Sequence, residues 1–177
     1  TGDLVVVSID DVGKTCYYIC IQIICIQIVR RKNRMDRSFH YLLMATQGLF
    51  QRQIMAELAG SGLTAGQPKV LDYLGLHDGS VQKDIALGCQ IDPATLTGLL
   101  NRMEEKGLIQ RRTEDGNRRC LHVYLTQLGW EKQREVRRTL DQLEQRVLSG
   151  LDEKQRAYLL EGLLRVCREL IDVEVLQ

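Results

Sequence analysis

The sequence predicts a mostly α-helical protein with one small β-hairpin. Apolar residues recur at helical spacing along most of the chain after residue 35. Only the stretch from about residue 109 to residue 125 reads as two strands joined by a turn. The chain also contains only two prolines, and 5% of its residues are aromatic, which favours helices over a β-sandwich.

Composition is that of an ordinary soluble globular protein, with 44% hydrophobic and 27% charged residues. The formal net charge of +1 excludes a bulk polycation, so any nucleic-acid surface must be local. The cysteines contain no CxxC pair, and this predicts a reduced, cytoplasmic setting without a disulfide framework. Cys120 and His122 share one strand face, but no second ligand pair lies nearby, so we expect neither a metal nor a cofactor.

Residues 1–34 differ from the rest of the chain. An almost continuously apolar run from Cys16 to Val29 is followed by a basic triplet at 30–32. The run is too short for a membrane span, and a signal peptide carries its basic residues before the apolar run. One interpretation is a short hydrophobic strand or an extension of the first helix.

A second interpretation makes this segment an atypical extension that is not native. The pentapeptide Ile-Cys-Ile-Gln-Ile occurs at 19–23 and again at 24–28. Back-translation permits an AT-rich DNA repeat there and a ribosome-binding sequence at the basic triplet, a few codons before Met35. The hypothesis is that residues 1–34 are translated promoter and leader and that the native chain is 35–177. Mass spectrometry showing a native N-terminus upstream of Met35 would contradict it.

The next segment predicts three helices in succession. The first spans residues 36–59 and ends at the Ala-Gly-Ser-Gly run of 59–62. Thr64 and Gln67 have the spacing of a capping box for the second helix. Ser80 is expected to cap a short third helix after a turn at 77–79. A short helix, a glycine-containing turn at 88–90 and a further helix have the spacing of a helix-turn-helix unit.

The fourth helix starts at Asp92, a good N-cap, and Pro93 suits its first position. Gly107 is placed to end it. Its inward face is a stripe of four apolar residues, Leu96, Leu99, Leu100 and Met103. Its other face carries small or polar groups, namely Thr95, Thr97, Gly98, Asn101 and Arg102.

A β-hairpin is predicted after this helix. In its second strand Leu121, Val123 and Leu125 alternate with more polar residues, and the Asp-Gly-Asn sequence at 115–117 favours a turn. Four arginines flank that turn, at 111, 112, 118 and 119. A helix with small polar groups outward, followed by a hairpin with an arginine-rich tip, is typical of a protein that binds duplex DNA.

Two further helices complete the chain. Thr126 can cap a helix that runs to about residue 149, and Asp152 with Gln155 forms a capping box for the last helix. The apolar stripe of the last helix is too wide for a solitary surface helix. We therefore expect the terminal helices to form a homodimer; the alternative is that they pack only within one chain.

From about Phe39 to Val173 the chain resembles the MarR family of winged helix-turn-helix transcriptional regulators. The resemblance rests on the segments 63–67, 83–86 and 95–109, on the arginine pairs of the hairpin, and on the Leu-Thr-Gln-Leu-Gly sequence at 125–129. It covers about three quarters of the chain in the correct order. It implies a winged helix-turn-helix at 63–126 and dimerisation helices at 36–59 and 127–173.

The resemblance also implies a function. A homodimer would bind a palindromic double-stranded DNA operator, with each recognition helix in a major groove and each wing in the adjacent minor groove, as a ligand-responsive repressor. The expected DNA-binding residues are Ser80, Gln82, Pro93, Ala94, Thr95, Thr97, Asn101, Arg102, Arg111, Asn117, Arg118 and Arg119. Members of the family often bind small aromatic or phenolic effectors. Tyr41, Tyr73 and Trp130 are candidate ligand-binding residues here, with apolar packing as the alternative role.

The wing departs from the family pattern at one position. The family usually has Asp-x-Arg, whereas this chain has Asn117-Arg118-Arg119. The aspartate of the family holds the wing, and its arginine enters the minor groove. Asn117 can form hydrogen bonds but no ion pair, so Asp115 or Glu114 is an alternative wing-holding residue.

Two other functions compete with DNA binding. A winged-helix module that mediates protein association would fit the near-zero net charge and the altered wing triplet. An enzyme would need a nucleophile with its base, paired carboxylates or a phosphate loop, and the sequence from Met35 onward shows no such set. Oxidation of Cys89 or Cys120 is a further way to modulate binding, and buried unreactive thiols are the alternative.

Overall fold

A computed structural model of the chain describes residues 38–114 and 117–175. The predicted fold class, mostly α with a small β-wing, is confirmed. In chain order the elements are helix α1 (Phe39–Glu57), helix α2 (Gln67–Leu76), strand β1 (Ser80–Val81), helix α3 (Gln82–Cys89), helix α4 (Pro93–Glu105), strands β2 (Ile109–Glu114) and β3 (Asn117–Leu125), and helices α5 (Gln127–Val147) and α6 (Glu153–Val175). The predictions for residues 1–34 concern a part of the chain outside the described residues.

Two compact units divide the chain, residues 1–51 and residues 52–177. In the first unit the described residues, 38–51, are helical from Phe39 onward and belong to α1. The predicted first helix is therefore confirmed, although it ends at Glu57 rather than at residue 59. In the second unit, Ile54 near the end of α1 and Leu58 just after it are buried.

The core of the second unit brings together α2, α3, α4 and the inner end of the hairpin. Its largest fully buried side chains include Leu71 and Leu74 of α2, Ile85 of α3 and Val123 of β3. All four residues of the predicted inward stripe of α4 are buried. Burial of one face of α4 anchors that helix and leaves its opposite face exposed. The helix-turn-helix prediction is thereby confirmed.

Three antiparallel strands form the sheet, in the order β1-β3-β2. Ile109 lies opposite Leu125, and the register shifts between Thr113 and Glu114 near the hairpin turn. Leu121 has the same alternating position as Val123 and Leu125, but unlike them it is 51% exposed. It lies opposite Thr113, which is also exposed.

Strand β1 is the element that the sequence pattern did not predict. Ser80 was expected to cap α3, but its hydroxyl donates to the His77 carbonyl at 2.7 Å. Its backbone pairs with Val123 of β3 instead, and α3 begins at Gln82 without a side-chain cap. A strand of two residues has no periodicity of its own, so tertiary pairing with β3 decides its conformation.

The other predicted helix starts are confirmed in full or in part. Asp152 and Gln155 form the complete capping box of α6, with hydrogen bonds of 2.8 and 2.9 Å. At α2 only half of the box forms, because Gln67 Oε1 accepts from the Thr64 N–H at 2.9 Å while the helix begins at Gln67. Helix α5 starts at the Thr126 cap as predicted and ends at Val147. No helix within residues 38–114 or 117–175 is long and apolar enough to cross a membrane.

Candidate nucleic-acid interface

The candidate interface begins at the N-terminus of α4. The Asp92 carboxylate accepts hydrogen bonds from the backbone N–H groups of Ala94 at 2.9 Å and Thr95 at 3.2 Å. It thereby satisfies two donors that a helix start leaves without a partner, and the predicted cap is confirmed. Hydrogen bonds from the Thr95 side chain and from these two N–H groups lower the pKa of Asp92.

This lowered pKa predicts an acid-sensitive cap. Because the charged carboxylate is favoured in the folded state, its contribution to stability is present above the unfolded pKa and is lost as the pH falls through the folded value. Asp92→Asn keeps an oxygen acceptor but removes the charge. We expect the difference in unfolding free energy between the natural protein and this variant to shrink as the pH is lowered from 7 towards 2. Denaturant titrations across that range measure it, and a constant difference would show that the charge contributes nothing.

The outward face of α4 is exposed and polar. Thr95, Thr97, Asn101 and Arg102 all lie on it, with the first turn, Pro93 and Ala94, exposed beside them. Gly98 lies among them without a side chain; a Cβ there would lie 3.5 Å from the Arg102 guanidinium. The face therefore combines hydroxyl, amide and guanidinium groups with little bulk, which suits contact with the edges of base pairs.

Hydrogen bonds from neighbouring elements hold two of these side chains in place. Gln82 of α3 donates from Nε2 to Thr97 Oγ1 at 2.6 Å, and the Thr97 hydroxyl donates to the Pro93 carbonyl at 2.8 Å. Arg111 of β2 donates from its guanidinium to Asn101 Oδ1 at 2.8 Å. Of the predicted residues, Gln82, Thr97, Asn101 and Arg111 are thus brought into one connected surface.

Glu104 is a residue of the candidate interface that the sequence analysis did not identify. Its carboxylate accepts from the Arg111 backbone N–H at 3.1 Å and lies 3.5 Å from the Arg111 guanidinium. Its position one turn after Asn101 on α4 is the only sequence signal for this role. Arg112 faces the other way and lies over the Tyr124 ring, 5.3 Å from its centroid.

The wing is described at the level of its backbone. Asn117, Arg118 and Arg119 are the first three residues of β3, and Asn117 lies opposite Glu114. Their side chains, and residues 115 and 116, lie outside the described part of the chain. The roles expected for these residues therefore stay predictions.

The three candidate ligand-binding residues are all half-buried. Tyr73 has a clear packing role, because its ring lies 4.8 Å from the His77 ring and a Cβ on Gly88 would come within 2.1 Å of it. Trp130 lies in the first turn of α5, and Tyr41 belongs to the other compact unit.

The structure describes the side chain of only one of the two cysteines considered for redox control, Cys89 and Cys120. Cys89 is buried, and burial raises the pKa of its thiol to about 11. The thiol therefore stays protonated at neutral pH, which agrees with an unreactive structural cysteine. The side chain of Cys120 lies outside the described part. Within residues 38–114 and 117–175, no group of three or more His, Cys, Asp or Glu residues is placed to hold a metal ion.

Comparison with known proteins agrees with this geometry. A model of the MarR family matches residues 61–119, which hold α2 to α4 and most of the wing. The HTH-type transcriptional repressor MdtR of Bacillus subtilis is 28% identical over 123 residues, 68% of this chain and 79% of that protein. The S. aureus MepR–DNA complex has a TM-score of 0.69 at 26% identity and covers 75% of this chain and 96% of that one. The transcriptional regulator PA3341 has a TM-score of 0.71 at 27% identity, and the match covers 76% of this chain and 99% of that one. The chain is therefore similar to MarR-family winged-helix transcriptional regulators, in sequence most specifically over residues 61–119 and in fold over about three quarters of its length.

Proposed function

We propose that this protein is a cytoplasmic, DNA-binding transcriptional repressor, not an enzyme, that binds a palindromic operator as a homodimer. The observation that carries the proposal is the division of α4 into a buried apolar face and an exposed polar face. The S. aureus MepR–DNA complex, whose fold this chain shares, and the repressor MdtR support it.

Helix α4 has the properties of a recognition helix. The B-form major groove is about 12 Å wide and admits one α-helix. The N-terminal half of α4 offers the hydroxyl and methyl groups of Thr95 and Thr97 to base edges, and Asn101 offers its amide further along the helix. Arg102 follows Asn101 directly and suits contact with a phosphate. Gln82, the first residue of α3, lies beside this face because it donates to Thr97, and Ser80 precedes it by two residues in β1.

The hairpin extends the contact to the minor groove. Arg118 and Arg119 follow the hairpin turn directly on β3. An arginine in a narrow, A·T-rich minor groove responds to groove shape and negative potential more than to individual bases. A protein with a net charge of only +1 can thus bind DNA through local positive charge.

Helix α6 supports a homodimer. None of its described side chains through residue 171 is buried, although it carries a broad stripe of exposed apolar residues, Leu159, Leu160, Leu163, Leu164, Leu170 and Ile171. Exposed apolar stripes of this size mark an interface. A second copy of the chain covers the stripe and sets two recognition helices at the spacing of two half-sites.

Direct binding tests this function. We expect the purified protein to bind duplex DNA from just upstream of its own coding sequence in a gel-shift titration, and to lose affinity steeply as salt rises. Small phenolic compounds are expected to release the DNA. Salt-independent or absent binding across such fragments would favour the protein-association module instead.

Arg119 provides a sharper test of the wing. Arg119→Ala is expected to weaken operator binding by more than about 1 kcal/mol, because it removes one arginine contact. Titrations at one fixed salt concentration measure the change. Arg138→Ala, which removes the same charge from an exposed position on α5, is the control and should bind like the natural protein. Equal affinity of all three proteins would rule out the minor-groove role of Arg119.

A further inference from the structure

Arg111 was expected to contact DNA, but its surroundings give it a different role. We propose that Arg111 is a positioning residue that fixes the Asn101 amide as a hydrogen-bond donor towards DNA. This position of α4 then selects a base edge that presents an acceptor. The inference rests on the proposed function and specifies how the recognition helix discriminates.

The orientation of the Asn101 amide follows from the chemistry of its partner. A guanidinium has only N–H donors, so the amide atom facing it must be the acceptor oxygen. Arg111 donates to Asn101 Oδ1 at 2.8 Å, and the Asn101 NH₂ group is thereby directed to the other side. Asn101 is exposed, so this NH₂ group is available to a ligand on the outer face of α4.

Arg111 is itself held in place. Its backbone N–H donates to Glu104 Oε1 at 3.1 Å, and its guanidinium lies 3.5 Å from Glu104 Oε2. Only 19% of its side chain is exposed, so reaching a DNA phosphate would break contacts to both Asn101 and Glu104. An arginine held by a carboxylate and directed at an amide orients that amide more than it adds free positive charge.

Thr97 does not supply a competing donor. Its hydroxyl hydrogen is engaged by the Pro93 carbonyl at 2.8 Å, and its oxygen accepts from Gln82 Nε2 at 2.6 Å. The middle of α4 therefore offers the Asn101 NH₂ group as its fixed donor and the Thr97 methyl group as an apolar neighbour.

This polarity restricts the bases that fit opposite Asn101. An asparagine that recognises adenine by two hydrogen bonds uses both its oxygen and its nitrogen. With the oxygen engaged by Arg111, the remaining NH₂ group pairs with the N7 of a purine, the O6 of guanine or the O4 of thymine. Cytosine presents only its N4 donor in the major groove, so it is excluded from that edge.

A base-preference profile tests the proposal. Every operator base pair is replaced in turn, and relative affinities are measured for the natural protein, Asn101→Ala and Arg111→Met. We expect one position to lose its preference in Asn101→Ala, and Arg111→Met to weaken the preference there by about five-fold, the scale of one neutral hydrogen bond. If the preferred base there is adenine, 7-deazaadenine should weaken binding by the natural protein but not by Asn101→Ala. If it is guanine, either 7-deazaguanine or 2-aminopurine, which lacks O6, should have that selective effect. If it is thymine, changing it to cytosine should have the same effect.

Two control variants separate positioning from charge. Arg112→Met removes the same charge from the next residue of β2, which faces Tyr124, and should leave the profile unchanged. Glu104→Gln keeps the Arg111 charge but removes its carboxylate partner, and we expect the same selective loss of preference as in Arg111→Met. Thermal unfolding shows whether Arg111→Met folds as well as the natural protein. If Arg111→Met folds poorly, Glu104→Gln still tests the proposal.

Three results would overturn the proposal. The first is that Arg111→Met weakens binding to every operator alike and reduces the salt slope by about one while preserving base preference, as loss of a phosphate contact does. The second is that no base pair depends on Asn101, and the third is that the base opposite Asn101 is cytosine. In each case the natural protein still binds its operator. Failure of the natural protein to bind any operator would instead contradict the proposed function.

Discussion

Replacing Leu160 and Leu163 of α6 by glutamate is expected to convert the proposed homodimer to a monomer and to lower operator affinity strongly. Both leucines are exposed in the single chain and lie on the apolar stripe. Burying a leucine stabilises an interface by about 1.5–3 kcal/mol, so losing two weakens dimerisation at least about 100-fold. A monomer holds one half-site and loses the gain from binding two linked sites at once. Analytical ultracentrifugation and gel shifts at the same protein concentration measure both effects.

The control for this double variant has the same change in net charge. Arg165→Gln with Arg168→Gln removes two positive charges from exposed positions off the centre of the stripe on the same helix. We expect that protein to remain a dimer. If the glutamate variant also stayed dimeric, α6 would not form the interface, and the stripe would need a different partner.

Gly129→Ala is expected to destabilise the second compact unit by about 2–3 kcal/mol, the upper part of the range for overpacking a well-packed site. A Cβ on Gly129 would lie 2.0 Å from the Leu108 carbonyl oxygen and 3.2 Å from a Leu125 methyl carbon. The oxygen belongs to the backbone and accepts a hydrogen bond from the Thr126 N–H at 3.1 Å, so it cannot rotate away as a flexible side chain can. The start of α5 would have to move off the hairpin.

Urea unfolding of the protein without DNA measures this change. Gly98→Ala is the matched control, because it makes the same substitution in the interior of α4, where the nearest atom is a flexible arginine end at 3.5 Å. Helix propensity makes that variant neutral or more stable by up to about 1 kcal/mol. If Gly129→Ala were as stable as Gly98→Ala, α5 would tolerate a shift at its first turn.

Local sequence rules accounted for the elements whose signals are confined to a few neighbouring residues. The Asp92 cap, the end of α4 at Gly107 and the capping box of α6 all depend on residues within one turn of each other. The apolar stripe of α4 predicted its buried face, because helical spacing alone places those residues on one side. The resemblance to the MarR family contributed the function and the expected contact residues.

Long-range contacts decided the rest. Ser80 joins a strand rather than a cap because β3, more than forty residues later, offers it a hydrogen-bonding edge. Leu121 alternates along the strand as a core residue would, but it is exposed. Burial depends on which residues pack against that face of the sheet, and the alternation of apolar residues carries no information about them. Nothing in the sequence around Gly129 indicates its close approach to the Leu108 carbonyl, which only the folded chain brings about.

The candidate interface shows the same division. The apolar stripe of α4 was enough to predict which side chains lie on its outer face, because a helix with a buried stripe leaves its other residues exposed. The hydrogen bonds that those side chains can form depend on contacts from other elements. Arg111 contacts both Asn101 and Glu104 because β2 folds back along α4, and its hydrogen bond to Asn101 determines which end of the amide is directed outward. The physical reason is that hydrogen-bond polarity is a property of the pair of groups in contact, whereas exposure follows from the periodicity of one helix.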